Sequence, residues 1–370
     1  MRPRPSTRRA IKGRGTGENP ASRFDRLVIA VDPDDHHDAD VPRGACPESE
    51  PVHSTVPTEY YRDATRTLIT RNDSPDIPFA ASINPYRGCE HGCIYCYARP
   101  YHEYLGLSAG LDFETRIFVK EDAPEILRRE LASPGWTPTL LALSGVTDPY
   151  QPVERQLGLT RRCLEALAEF RNPVGVITKN ALVTRDIDLL ADMAGHGAAS
   201  VAISITTLDE TLRLKLEPRA PTADARLEAI ARLRAAGVPV GVMVAPVIAA
   251  LTDQEVPAIL ARAAEAGAAF AGYTLLRLPH GVAALFEGWL AEYYPDRSRR
   301  VLNRVREGQG GRFVNRAFHS RMTGEGVTAG LVAEVFRVAC RKAGLLSHGP
   351  ALSTAAFRRP SRQGSLFDPS

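Results

Sequence analysis

The sequence predicts an α/β protein in which about six consecutive βα units surround a parallel sheet. Three observations carry this. Between 79 and 290, apolar runs of about five to eight residues alternate with helix-compatible runs of about ten to fifteen. The apolar runs, such as TLLALS, VGVITK and ASVAISIT, are nearly continuous, as strands buried on both faces are. Each helical run returns the chain for a further parallel strand, and such crossovers are right-handed.

In order, Phe79 to Asn84 reads as the first strand and Tyr97 to Leu107 as a helix. Ile117 to Lys120 is a short extended piece, followed by a helix from Ala123 to Leu131. Thr139 to Ser144 is a strand of buried type, and Arg161 to Phe170 a helix with Leu164, Leu167 and Ala168 on one face. Strand Val174 to Lys179, helix Asp186 to Gly195 and strand Ala199 to Thr206 follow. Thr222 to Ala236 is a helix ended by Gly237, a usual C-cap residue. Strand Pro239 to Val247, helix Asp253 to Ala266 and strand Phe270 to Leu278 complete the alternation.

The chain has 370 residues, 44% hydrophobic and 24% charged, which suits one large domain with appendages. No apolar run approaches the ~20 residues that span a bilayer. The basic N-terminus, MRPRPSTRRAIKGRGTG, lacks the apolar core of a signal peptide. Six cysteines are too sparse for a disulfide scaffold. A reducing, cytoplasmic location with no membrane contact is therefore expected. Residues 1–75 read as poorly ordered, because proline is frequent and apolar periodicity is confined to Leu27 to Val31. Within them Asp32 to Asp40, DPDDHHDAD, reads as a solvated linker rather than a metal site, and Cys46 as incidental. The expected division is a barrel over 76–290, a basic extension over 291–350 and a mobile tail over 351–370.

The stretch NPYRGCEHGCIYCYAR, Asn84 to Arg99, holds Cys89, Cys93 and Cys96 directly after the first strand. Three thiolates on one loop can hold three corners of a cubane 4Fe–4S cluster, which normally takes four. The fourth iron is then open to a small molecule. Zinc is the competing reading, since His91 or His102 could supply a fourth ligand, but the second C-x2-C knuckle usual for cysteine zinc sites is missing. In barrels of βα units, chemistry sits at the C-terminal strand ends. That rule selects the segment from Ser144 to Glu154, then Lys179, Ser204, and the ends near Val247 and His280.

The C-x3-C-x2-C spacing, with Tyr95 before the last cysteine and Gly88 and Gly92 flanking, resembles the radical S-adenosylmethionine (radical SAM) superfamily. Together with SGVTDPYQPVE, ITKN, SIT and LEPRAP, it resembles the spore photoproduct lyase-like branch, over about residues 78 to 280. The resemblance implies a partial (β/α)6 barrel and a cluster held by Cys89, Cys93 and Cys96. It implies S-adenosylmethionine on the open iron, cleaved by one electron to a 5′-deoxyadenosyl radical. A reductant such as flavodoxin or ferredoxin is implied as electron source. It also implies that Lys179, Ser204 and Arg219 approach the cofactor, with the Tyr95 backbone near its adenine and Ser144 a further candidate. One departure stands out. The lyases carry a hydrogen-donating cysteine in the segment after the second strand, where this chain has Ser144-Gly145-Val146. Cys163, among Leu164 and Leu167, reads as a small core residue. Radical generation is therefore expected to transfer, and photoproduct repair is not.

Residues 296–321 hold eight arginines interleaved with Phe313 and Phe318, a composition suited either to a solvated helix or to nucleic acid. Val332 to Lys342 is an amphipathic helix expected to close the barrel's open side. Gln363, Leu366 and Phe367 near the C-terminus resemble the Q-x-x-L-F peptide that docks on bacterial sliding clamps, which makes a clamp a candidate partner.

Overall fold

The structure is a computed structural model, and it describes residues 11–24, 56–314 and 317–360. Its main sheet has the order β10-β9-β8-β7-β6-β3-β2. Six of these strands run parallel and in chain order: β3 (Ala81–Ile83), β6 (Leu141–Leu143), β7 (Val174–Thr178), β8 (Ala199–Ser204), β9 (Val240–Val247) and β10 (Phe270–Leu275). The short β2 (Thr70–Arg71) adds antiparallel at the β3 edge. This is the expected partial barrel.

The strands are apolar for the expected reason: helices cover the sheet. Val174, Val176, Val201, Ile203, Val240, Val242 and Val244 are all buried. Helix Leu159–Phe170 buries Leu159, Cys163, Leu167 and Phe170, spaced to share one face, so Cys163 is the core residue its surroundings predict. Helix Ala223–Ala235 is capped by the Thr222 hydroxyl, which accepts from the Ala225 amide, and the chain turns out at Gly237 with φ 79°.

The piece Arg116–Val119 (β5) does not join the barrel. It forms a second sheet, of order β1-β5-β4, with β1 (Glu59–Arg62) and β4 (Tyr86–Arg87). The residues read as a helix after the cysteines form a 3-10 helix, Arg99–Leu105, instead. Helix Gly326–Ala343 is longer than expected and lies outside the barrel. Phe336 meets Tyr273 of β10 with ring centroids 4.6 Å apart. Leu346 then pairs with the β10 edge, accepting from the Ala271 amide and donating to the Ala269 carbonyl.

Residues 11–24 and 351–360, both expected to lack order, are bonded to the barrel. Residues 351–360 cross the N-terminal side of the barrel. Ser353 donates its amide to Gly197, ahead of β8, and Arg358 to Phe170, ahead of β7. The Arg359 guanidinium donates to the Trp136 carbonyl, ahead of β6. The clamp-like Gln363, Leu366 and Phe367, like Asp32 to Asp40 and Cys46, lie outside the described residues.

At the other end, residues 11–24 form a strap across the cysteine loop, and β1 is part of a sheet, so 1–75 is not uniformly without structure. Arg14 donates to the Glu114 carbonyl, the Val56 carbonyl and the Thr58 hydroxyl, at 2.7 to 2.8 Å. The Gly15 amide donates to Glu114 Oε2 at 2.9 Å. Asn19 and Asp112 exchange two bonds. A composition rule missed the strap because it docks through polar and backbone bonds, which leave no apolar periodicity. Gly15 also approaches Gly92 so closely that a Cβ there would lie 1.8 Å from the Gly92 carbonyl oxygen. Gly15→Ala is expected to lift the strap. Limited trypsin digestion should then cut at Arg14 much faster than in the wild type, while the far-ultraviolet circular dichroism stays unchanged.

Candidate active site

Cys89, Cys93 and Cys96 lie on the loop that follows β4, at the C-terminal end of the barrel strands. The loop is held from several sides. The Cys89 amide donates to the Phe113 carbonyl and the Ile94 amide to the Leu216 carbonyl. The buried Arg99 guanidinium donates to the carbonyls of Cys93, Ala109 and Gly110, and pairs with the buried Glu114 at 2.5 Å. Gly88 and Gly92 have φ of 82° and 68°, and a Cβ on Gly92 would sit 2.7 Å from Glu114 Oε2, so both conformation and space demand glycine there.

Cys89 and Cys93 are buried and Cys96 is partly so, and none is in a disulfide. Burial pushes all three thiols up, Cys93 to about 12 even though Lys179 opposes the shift.

Lys179, just past β7, points into the same space. Its Nζ lies 3.0 Å from the Tyr95 hydroxyl and 3.2 Å from Glu217 Oε1. Burial works against its charge, but Cys93, Glu217 and Tyr95 outweigh that and hold its pKa well above the usual lysine value. Glu217 is fully buried. It also accepts from the Tyr95 hydroxyl, from the Thr206 hydroxyl at 2.9 Å, and from the Arg226 guanidinium. Burial alone would raise its pKa, yet Arg226 and Lys179 hold it below the usual carboxylate range. Burial and Glu217 push Tyr95 well up, so its phenol stays neutral. The network therefore holds two cations against one carboxylate. Asp148, which accepts from the Lys179 amide, adds a second carboxylate beside the two cations.

Of the sequence candidates, Lys179 and Tyr95 are brought together beside Cys93. Tyr95 contributes a side chain to the network, where a backbone role had been expected. Ser204 ends β8 buried, and its carbonyl accepts from Arg226 at 3.0 Å, so it borders the same network. Ser144 ends the β6 strand at φ 97°. Arg219 does not pair with Glu217. Its amide donates to the His91 carbonyl and its guanidinium pairs with Glu90 at 3.0 Å, on the cysteine loop. Asp148, in the segment after β6, ties two strand ends together, accepting from the Thr178 hydroxyl at 2.6 Å and the Lys179 amide at 2.9 Å. Glu217 as the centre, Arg226 and Thr206 were missed. The only sequence signal was Glu217 in LEPRAP, which its neighbour Arg219 drew away.

The donor set fits an iron–sulfur cluster better than zinc. Of the two candidate fourth ligands, His102 is engaged elsewhere, with Nε2 2.9 Å from the Arg116 carbonyl and its ring edge-on to Phe113. His91 stays beside the thiols, with Nδ1 3.7 Å from Cys89 Sγ and 3.6 Å from Asp148 and Nε2 3.2 Å from Asn180 Nδ2, and burial lowers its pKa to about 4. Among the described residues, no three His, Cys, Asp or Glu side chains gather as a single-ion site.

Comparison with known proteins bears this out. The family model described as the radical SAM superfamily matches residues 83–263. An uncharacterized protein of Mycobacterium tuberculosis is 39% identical over 234 residues, 63% of this chain and 69% of the relative. The chain belongs to the radical SAM superfamily. An uncharacterized protein of Methanocaldococcus jannaschii is 28% identical over 173 residues, 47% of this chain and 62% of the relative. Among solved structures, a single-residue variant of spore photoproduct lyase superposes with a TM-score of 0.55 at 16% identity, covering 78% of this chain and 81% of that one. The same lyase complexed with a dinucleoside spore photoproduct gives 0.54 at 18% identity, covering 83% and 87%. These share the fold. As a radical SAM enzyme, the protein uses a 4Fe–4S cluster and S-adenosylmethionine and takes an electron from a reductant. No helix among the described residues is long and apolar enough to cross a membrane.

Glu217→Gln leaves Lys179 and Arg226 facing each other in a dry interior without a counter-charge. Breaking a buried pair in this way costs about 3–5 kcal/mol. Urea unfolding of the anaerobically purified variant should move its midpoint down accordingly, and Lys179→Met in the same background should recover part of the loss.

Proposed function

We propose that the protein abstracts hydrogen from nucleic acid at the mouth of the barrel. Cys89, Cys93 and Cys96 hold the cluster in this reading. When bound, cluster and S-adenosylmethionine together supply a 5′-deoxyadenosyl radical; that chemistry is the cofactor's own. The chain contributes position, charge and dryness. The observation that carries the reading is the Lys179 ammonium held beside Cys93, its Nζ fixed by the Tyr95 hydroxyl and Glu217. It favours an anionic group there, and the methionine carboxylate is one. Tyr95 and Thr206 fix the Glu217 carboxylate, which in turn fixes Lys179 Nζ. Ser204, at the adjoining strand end, and Arg219, which braces the loop through Glu90, complete the group proposed to position the cofactor. Ser144, just past β6, is a further candidate for that group. The barrel strands keep bulk water from one side and the strap from the other.

Nucleic acid is supported by two features. The fold is that of a lyase solved with a dinucleoside photoproduct. The arginine-rich segment also reaches the mouth, where Leu278 donates its amide to Phe313 and Arg321 pairs with Asp76 at 2.6 Å. Repair of the spore photoproduct itself is not proposed. Cys163 and Cys340 are buried on helices outside the sheet, and the segment directly after β6, Ser144 to Glu154, holds no cysteine. Flavodoxin or ferredoxin in the cytoplasm is the proposed electron source, and the clamp the proposed tether through Gln363, Leu366 and Phe367.

The deciding experiment is anaerobic reconstitution with iron and sulfide, reduction, and chromatography for 5′-deoxyadenosine, beside a Cys93→Ala variant. Wild type alone should form it, and more of it when DNA or RNA oligonucleotides are added. Stimulation by peptides, with none by oligonucleotides, would replace the proposed substrate class.

A further inference from the structure

An exposed aromatic stripe starts one residue beyond Cys96. Tyr97, Tyr101 and Tyr104 are 42%, 53% and 67% exposed, and Phe24 of the strap is 49% exposed. Tyr101 and Tyr104 share a face because the 3-10 helix Arg99–Leu105 repeats every three residues. Their ring centroids are 6.4 Å apart, and Phe24 continues the row 5.1 Å from Tyr104. Tyr97 is anchored at the inner end by its hydroxyl, which donates to the Gly145 carbonyl at 2.9 Å. The row therefore runs outward from the loop that holds the cysteines. Large apolar rings left in water in a line are costly unless something covers them.

Guanidinium groups alternate with the rings. Arg277 lies over Tyr97 at 5.4 Å, and Arg23 lies over Phe24 and Tyr104 at 4.7 and 5.1 Å. Arg23 is paired with Glu103 and the nearby Arg321 with Asp76. Arg277 forms no ion pair among the described residues. It is half-buried, and its pKa is lowered by burial and then by Arg321. A half-buried cation with no ion pair among the described residues, above a stacking face, suits a phosphate on a chain of bases.

We propose that Tyr97, Tyr101, Tyr104 and Phe24 stack the bases of single-stranded nucleic acid, and that Arg277 takes the phosphate beside the base entering the barrel. This rests on the nucleic-acid reading above and adds the route and the form of the substrate. A duplex offers its bases only edge-on, so the rings select single strands or extruded bases. An acidic electron-donor protein would satisfy Arg277 but offers no flat partners for four successive rings.

The test uses full-length reconstituted protein and dye-labelled oligonucleotides of about twelve bases, a length within the range of single-strand sites. Fluorescence anisotropy should give a dissociation constant raised about tenfold or more in Tyr101→Ala/Tyr104→Ala, on the usual worth of a stacked base. Arg277→Ala should flatten the log–log salt dependence by about 0.7, one phosphate's share on a single strand. Duplex of the same sequence should bind more weakly than either strand. Iron content and the cluster's electron paramagnetic resonance signal should match the wild type, since the exposed rings support no core. Variants that bind single strands as well as the wild type would overturn the stripe and leave the nucleic-acid reading standing. A wild type that binds no oligonucleotide would end both. Variants that bind normally but are reduced slowly by flavodoxin would reassign the surface to the electron donor.

Discussion

A single buried carboxylate governs the mouth of this barrel. Glu217 has no access to water, and isolating its charge there would cost several kcal/mol. Arg226, Lys179, Tyr95 and Thr206 remove that cost by surrounding it. The arrangement joins four parts of the chain: the cysteine loop, the ends of β7 and β8, and helix Ala223–Ala235. It also holds the Lys179 ammonium beside Cys93.

The cysteine loop depends on a second buried pair, Arg99 with Glu114. Arg99 holds the Cys93 carbonyl from beneath, and Glu114 holds the Gly15 amide from above. The loop is thereby clamped between the chain's own N-terminal strap and its 3-10 helix. Glycines at 15, 88 and 92 allow the close approach. A cluster that is destroyed by oxygen gains from such cover, and the strap provides it on the side where the barrel does not.

Much of this was legible in the sequence, and the reasons differ by part. Six apolar runs predicted six parallel strands because each run was long enough to be buried on both faces. The cysteine spacing was legible because it is local. Strand-end reasoning found Lys179 and Ser204, since a polar residue directly after a buried strand has few places to go. It failed for Glu217. A side chain's partner across the barrel leaves no local trace, whereas Arg219 two positions on offered an obvious local one. The structure gives Arg219 to Glu90 because its amide is already bonded to the His91 carbonyl, which turns it toward the cysteine loop. The strap was illegible for a third reason: polar and backbone docking carries no hydrophobic signal, and its basic composition imitates disorder.

Residues 11–24 and 351–360 cover different sides of the barrel. Residues 351–360 run along the starts of β8, β7 and β6, and Leu346 covers the β10 edge. Residues 11–24 cover the cysteine loop. Tyr97 and Arg277, 5.4 Å apart, stand beside the cysteine loop. On the reading proposed above, a long, flat-sided and anionic substrate would enter past them, extending beyond the part that reaches the barrel.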